Sequence, residues 1–165
     1  MSKENYDRQK AIDYAHKWAY GRNPQYYNFD SLGGDCTNFV SQCLYAGCGV
    51  MNYTPTYGWY YNSLNSRSPS WTGVPFLYNF LTSNKRNGPY GHEAPLEEAV
   101  PGDIIQLRFR NYDVFTHSLF IVSTGENPNP MNILIAAHTN NSDNRPINTY
   151  TYAQHRLIHI DGARK

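Results

Sequence analysis

The sequence has no run of basic residues. Its 14 Lys and Arg are balanced by 13 Asp and Glu, for a net charge of +1. That argues against nucleic acid or an anionic membrane surface as main partner. No stretch approaches the roughly 18 apolar residues that a membrane helix needs, so no membrane insertion is expected. The opening Met1-Ser2-Lys3-Glu4-Asn5 lacks the apolar core of a signal peptide. The chain as it stands reads as cytoplasmic, or as secreted if an export signal has been removed. Cysteine is scarce: Cys36, Cys43 and Cys48 are an odd number crowded into one stretch. They do not read as a disulfide framework. There is no CxxC or HExxH spacing, so no metal is expected, and nothing asks for a cofactor. No repeat, low-complexity tract or linker divides the chain. Its 165 residues suit a single domain, 1–165, with a hydrophobic core.

Aromatic side chains are plentiful, at 15% of the chain with 15 Tyr. Residues 6–20 show helical periodicity, with Ala11, Ile12, Ala15, Trp18 and Ala19 on one face. A second helix is expected from Asp35, its N-cap, to Gly47, with Phe39, Val40, Cys43 and Leu44 as the buried stripe. Residues 48–95 are less regular. Tyr53, Tyr57, Trp59, Tyr60, Tyr61 and Trp71 cluster there, a short helix is expected over 74–84, and 87–91 reads as a turn. From Pro101-Gly102 onward the pattern turns to strand, over 103–110, 117–124, 133–140 and 156–160. Helices first and then a run of antiparallel strands is an α+β layout.

Cys36 lies in Gly33-Gly34-Asp35-Cys36-Thr37-Asn38-Phe39-Val40-Ser41-Gln42, at the first turn of the second helix. Unpaired backbone N–H groups and the positive end of the helix dipole favour a thiolate there. A thiol hydrolase also needs a base and a group that orients it. Histidine suits the base role, and six are present. His117 begins one expected strand and His138 falls near the end of the next. If those strands pair antiparallel, the start of one lies beside the end of the other. That would set Cys36, His117 and His138 in a row. Cys43 and Cys48 read as packing.

The segments Gly-Gly-Asp-Cys36-Thr-Asn-Phe-Val-Ser-Gln, Pro101-Gly-Asp-Ile-Ile-Gln, His117-Ser-Leu-Phe-Ile-Val and Ala136-Ala-His138-Thr-Asn resemble the bacterial amidase-domain family. That family is similar to papain-like cell-wall peptidases of the NlpC type and to CHAP amidases. The resemblance spans roughly residues 6–160. It implies a papain-like fold, a Cys36 nucleophile and a His117 base. The third polar residue would come from the next strand, His138 first and Asn140 as the alternative. It further implies an amide hydrolase working through a thioester, with the Cys36 N–H as one oxyanion donor. A second donor is sought in the upstream loop, at Tyr27 or Asn28. The expected substrate is a peptide, a peptidoglycan fragment or another amide, handled by a monomer. The competing reading is a catalytically silent module of the same fold. It would bind glycans or peptides through Tyr57, Trp59, Tyr60 and Trp71.

Overall fold

The computed structural model describes residues 5–165. The reading of the opening segment therefore falls, apart from Asn5, outside the described residues. Helix α1 runs Arg8–Trp18 and α2 runs Cys36–Cys48. A small hairpin, β1 (Tyr61–Ser63) and β2 (Ser66–Arg67), leads into α3 (Pro69–Thr72) and α4 (Val74–Ser83). Six strands follow: β3 (Gly88–Ala94), β4 (Ile104–Arg108), β5 (His117–Ser123), β6 (Leu134–Ala137), β7 (Ser142–Pro146) and β8 (Gln154–Arg164). They form one sheet in the order β3-β8-β4-β5-β6-β7, with every neighbouring pair antiparallel. The N-terminal helices pack on this sheet, an α+β architecture.

Alternation along the strands divides the core in two. Ile104, Phe120, Ala136 and Ile158 point to the helices and join Phe39, Val40, Cys43 and Leu44 of α2. Ile105, Leu107, Leu119, Ile121, Ile135 and Leu157 point the other way. Two short 3-10 turns, with Leu96 and Ile147, together with Tyr150 and Tyr152, cover that second face in place of helices.

Helix α1 starts at Asp7, whose carboxylate accepts the Lys10 N–H at 3.1 Å and satisfies a first-turn donor. Helix α2 ends at Gly49, in the left-handed region at φ 66°. The stripe expected on α2 is buried, but so are Thr37, Asn38, Ser41 and Gln42. The helix is enclosed, with α1 to one side and the aromatic segment to another. Its polar side chains therefore bond inward. Trp71 Nε1–H donates to Asn38 Oδ1 at 3.0 Å and Trp59 Nε1–H to Ser41 Oγ at 3.1 Å. The Tyr14 hydroxyl meets Gln42 Oε1 at 2.5 Å.

The turn before β4 locks α1 to the sheet. Gly102 has φ 97°, and a Cβ there would lie 3.1 Å from the Arg8 side chain. Arg8 donates to Pro101 O, Ile160 O and buried Asp103. The Tyr6 hydroxyl donates to Gly102 O at 2.7 Å.

Candidate active site

Cys36 is the first residue of α2 and is 9% exposed. Asp35 stands at the N-cap position, yet its carboxylate makes no capping bond to the helix. Instead Oδ1 accepts the Phe29 N–H at 2.8 Å and the Asn38 side-chain amide at 2.9 Å. Its Oδ2 meets His138 Nδ1 at 2.5 Å. Asp35 is wholly buried, so these bonds replace the water it has lost. The expectation of a simple helix cap is thus corrected. Asp35 ties the entry loop, the helix and the end of β6 together directly beneath Cys36.

His138 is the other half of that tie. Its Nε2 lies 2.8 Å from the Trp18 carbonyl oxygen, and its ring stacks on Phe39 at 4.1 Å between centroids. A carboxylate and a carbonyl are both acceptors, so each His138 nitrogen faces an acceptor. No nitrogen remains to orient His117. The strands do pair as the sequence suggested, with Phe120 opposite Ala136 and Ile121 opposite Ile135. Alternation then sends the two histidines to opposite faces. His138 shares the helix side with Ala136, and His117 shares the other side with Leu119.

His117 opens β5 opposite Leu107. It is buried, and among the described residues its ring makes aromatic contacts but no hydrogen bond. The ring centroid lies 5.8 Å from Tyr150 and 6.5 Å from Phe109. These three residues line a cleft of about 450 Å³. Thr139, Asn140 and Arg145 form another part of its wall.

The residues that follow Cys36 and His117 in the chain are joined by a hydrogen bond. Thr37 Oγ1 and Ser118 Oγ share a hydrogen bond of 2.9 Å, and Gln106 donates to the same Ser118 oxygen at 3.2 Å. The backbone N–H of Ser118 also faces the Cys36 thiol. Among the described residues the Cys36 and His117 side chains share no hydrogen bond, and Cys36 Sγ lies 3.7 Å from Thr37 Oγ1. Gly34 in the entry loop stands against the cleft wall. A Cβ there would lie 3.6 Å from Thr139 Oγ1.

Burial sets the charge state of both groups. It pushes the Cys36 thiol above its ordinary value, and nearby Asp35 adds to that, while the Ser118 N–H and Thr37 pull the other way. Burial pushes His117 down to about 4, helped by the Arg145 guanidinium. At neutral pH Cys36 is therefore a thiol and His117 a neutral imidazole. The helix N-terminus alone does not make Cys36 a resting thiolate. A neutral imidazole is a competent base, so a proton can move as the sulfur attacks.

Two cleft residues escaped the sequence reading. Tyr150 has a buried hydroxyl with no hydrogen-bond partner among the described residues. Burial raises its phenol, the Arg145 and Ser142 side chains beside it pull the other way, and a charge on Cys36 would raise it further. Arg145 lies flat on the Tyr150 ring, 3.6 Å from its centroid. Both come from a stretch without apolar alternation, and only the fold brings them to His117. Of the upstream oxyanion candidates, Tyr27 has its backbone N–H committed to the Tyr61 hydroxyl at 2.7 Å. Asn28 Oδ1 accepts the Asp30 N–H, and the Tyr27 carbonyl accepts from Asn38.

The proposed glycan-binding aromatics divide as well. Trp59 and Trp71 are fully buried and bonded to α2, so they are core. Tyr57 is exposed and Tyr60 half-buried. Cys43 and Cys48 are buried free thiols, Cys48 pushed up to about 11 by burial. Among the described residues no group of three His, Cys, Asp or Glu is placed to hold a metal ion. No helix among them is long and apolar enough to cross a membrane.

Comparison with known proteins agrees with the extent of this fold. A Bacillus subtilis (strain 168) protein described as "Uncharacterized protein YhbB" is 35% identical over 128 residues, covering 76% of this chain. The chain matches 40% of that protein's length. No solved structure matches. Residues 5–160 match the family described as "Putative amidase domain", from the residue before the Tyr6 anchor to the β8 core position Ile160, and the chain belongs to that family.

Proposed function

We propose that the protein is a cysteine-dependent amide hydrolase with Cys36 as nucleophile and His117 as base. The observation that carries this reading is the Thr37–Ser118 hydrogen bond, which holds the helix start carrying Cys36 against the strand start carrying His117. His117 takes the thiol proton as sulfur attacks the amide carbonyl carbon. The oxyanion is met by first-turn N–H groups of α2, which have no partner within the helix. The Tyr150 hydroxyl, buried and unmatched, is the second donor. His117 passes its proton to the leaving nitrogen as the C–N bond breaks. It then draws a proton from water, whose oxygen attacks the thioester. The C–S bond breaks, an acid leaves, and the proton returns to Cys36.

His138 enters this scheme as a positioning residue. It acts through Asp35, fixing the loop from which α2 starts. The papain-like kinship with cell-wall peptidases belongs to the same proposal, and so does a peptide or peptidoglycan-type substrate. The silent-module alternative loses ground because two of its four aromatics, Trp59 and Trp71, are core.

The test is turnover of a panel of peptide and peptidoglycan-stem amides by wild type and Cys36→Ala, with intact-mass analysis of the quenched protein. Wild type should carry an acyl group on Cys36, and the variant should lose turnover by about 10⁴-fold or more. Hydrolysis undiminished in Cys36→Ala would overturn the reading.

A further inference from the structure

Arg145 has no role in the scheme above, yet it is the one residue of Lys, Arg, Asp or Glu type on the cleft wall. Among the described residues it has no carboxylate partner. Its hydrogen bonds run to Thr149 Oγ1 and O and, at 3.5 Å, to Ser142 Oγ. A guanidinium has five N–H donors, so these contacts leave capacity on the two terminal nitrogens. The ring of Tyr150 supports its flat face. It is partly exposed and lines the cleft. Elsewhere in this protein a guanidinium beside a carboxylate is used by it: Arg8 bonds Asp103 and Arg22 bonds Asp30. A preorganised, unpaired guanidinium in a cleft is suited to a carboxylate, which it can hold with two parallel bonds.

The position of Arg145 says which part of the substrate the carboxylate is on. The cleft belongs to His117, and His117 must deliver its proton to the leaving nitrogen. The leaving amine therefore points into the cleft, towards Arg145. We infer that the enzyme favours amides whose leaving amine carries a free carboxylate, as an amino acid does, and that Arg145 binds that carboxylate. This rests on the Cys36–His117 reading. It adds a substrate class, an acyl group joined to a carboxylate-bearing amine, to a site otherwise known only as an amide site. The Thr116, Thr149 and Thr151 side of the same wall offers polar neighbours to such a group.

Two measurements separate this inference from the reading beneath it. The first is binding, which needs no turnover. Cys36→Ala protein is titrated by calorimetry with N-acetyl-alanyl-alanine and with its C-terminal carboxamide. The acid should bind about tenfold or more tightly, a preference of the size a charged hydrogen-bond pair supplies. The double variant Cys36→Ala/Arg145→Met should bring the ratio near one, and Arg145→Lys should restore part of it. Equal binding of acid and carboxamide by the Cys36→Ala protein would overturn the inference whatever the catalytic outcome. So would a preference that survives Arg145→Met. The second is the kcat/KM ratio for the same acid and carboxamide in active protein. It should exceed about ten and fall towards one in Arg145→Met. A ratio of one in wild type overturns the inference and leaves the cysteine mechanism standing. Absence of turnover with both substrates, alongside acid-selective binding, counts against the mechanism and supports the carboxylate site.

Discussion

His138 and His117 stand at the same end of adjoining strands, and both are buried. One has both ring nitrogens committed, to Asp35 and the Trp18 carbonyl. The other has neither committed among the described residues and faces a cleft. The difference teaches that burial alone does not mark a catalytic histidine. A committed imidazole stabilises the frame, whereas an uncommitted one has lone pairs and protons to exchange. The two faces of the sheet divide the work accordingly. The helix side, with Asp35, His138 and the inward-bonded α2, holds the geometry. The opposite side carries His117, Tyr150 and Arg145 around the cleft, where the proposed reading puts the substrate.

That division can be broken by substitution. The largest stability effect is expected at the frame. Asp35→Ala leaves His138 facing an empty, buried acceptor site and frees the Phe29 and Asn38 donors. Losing one partner of such a buried pair costs about 3–5 kcal/mol, to be read from urea unfolding midpoints. His117→Ala should cost much less stability, since that ring has no hydrogen bond to lose among the described residues. Comparable losses in the two variants would erase the distinction drawn here.

A smaller effect concerns pH. His117 is held neutral in the fold down to about pH 4, while in the unfolded chain it takes a proton near 6.5. The unfolded state therefore binds more protons between those values. Stability contributed by the neutral ring is intact above about 6.5 and is lost progressively as pH falls to about 4. The loss reaches roughly 3 kcal/mol at most. The His117→Asn variant should show a flatter stability profile over that window. His159 has the opposite sign, because its bond to Asp103 raises its proton affinity. Its contribution is present at low pH and fades as pH rises through its folded value.

Much of this arrangement was legible in the sequence because it is written in local patterns. The helices α1, α2 and α4 and the strands β4, β5, β6 and β8 all carry apolar periodicity. Strand β3, expected as a turn region, carries two glycines and a proline. Its strand character comes from pairing with β8. Gly91 follows a bulge and lies so close to β8 that a Cβ would be 2.1 Å from the His159 oxygen. Strand β7 is Ser-Asp-Asn-Arg-Pro at the sheet edge, where one side meets solvent and no apolar alternation is required. The positions of Cys36 at a helix start and His117 at a strand start were legible. The role of His138 was not. Which face it takes, and which acceptors await it there, depends on Trp18 and Asp35, both distant in sequence. Tyr150 and Arg145 were invisible for the same reason.

The central claim is that His117 serves Cys36 as a base although both are neutral at rest. The most direct measurement is the rate of iodoacetamide labelling of Cys36, followed by peptide mass analysis from pH 3.5 to 10, in wild type and His117→Ala. The account expects wild-type labelling to rise through about pH 4 and persist on a plateau below the thiol's own titration. His117→Ala should lose that plateau and label only as the buried thiol ionises at alkaline pH. Superimposable profiles would contradict the account.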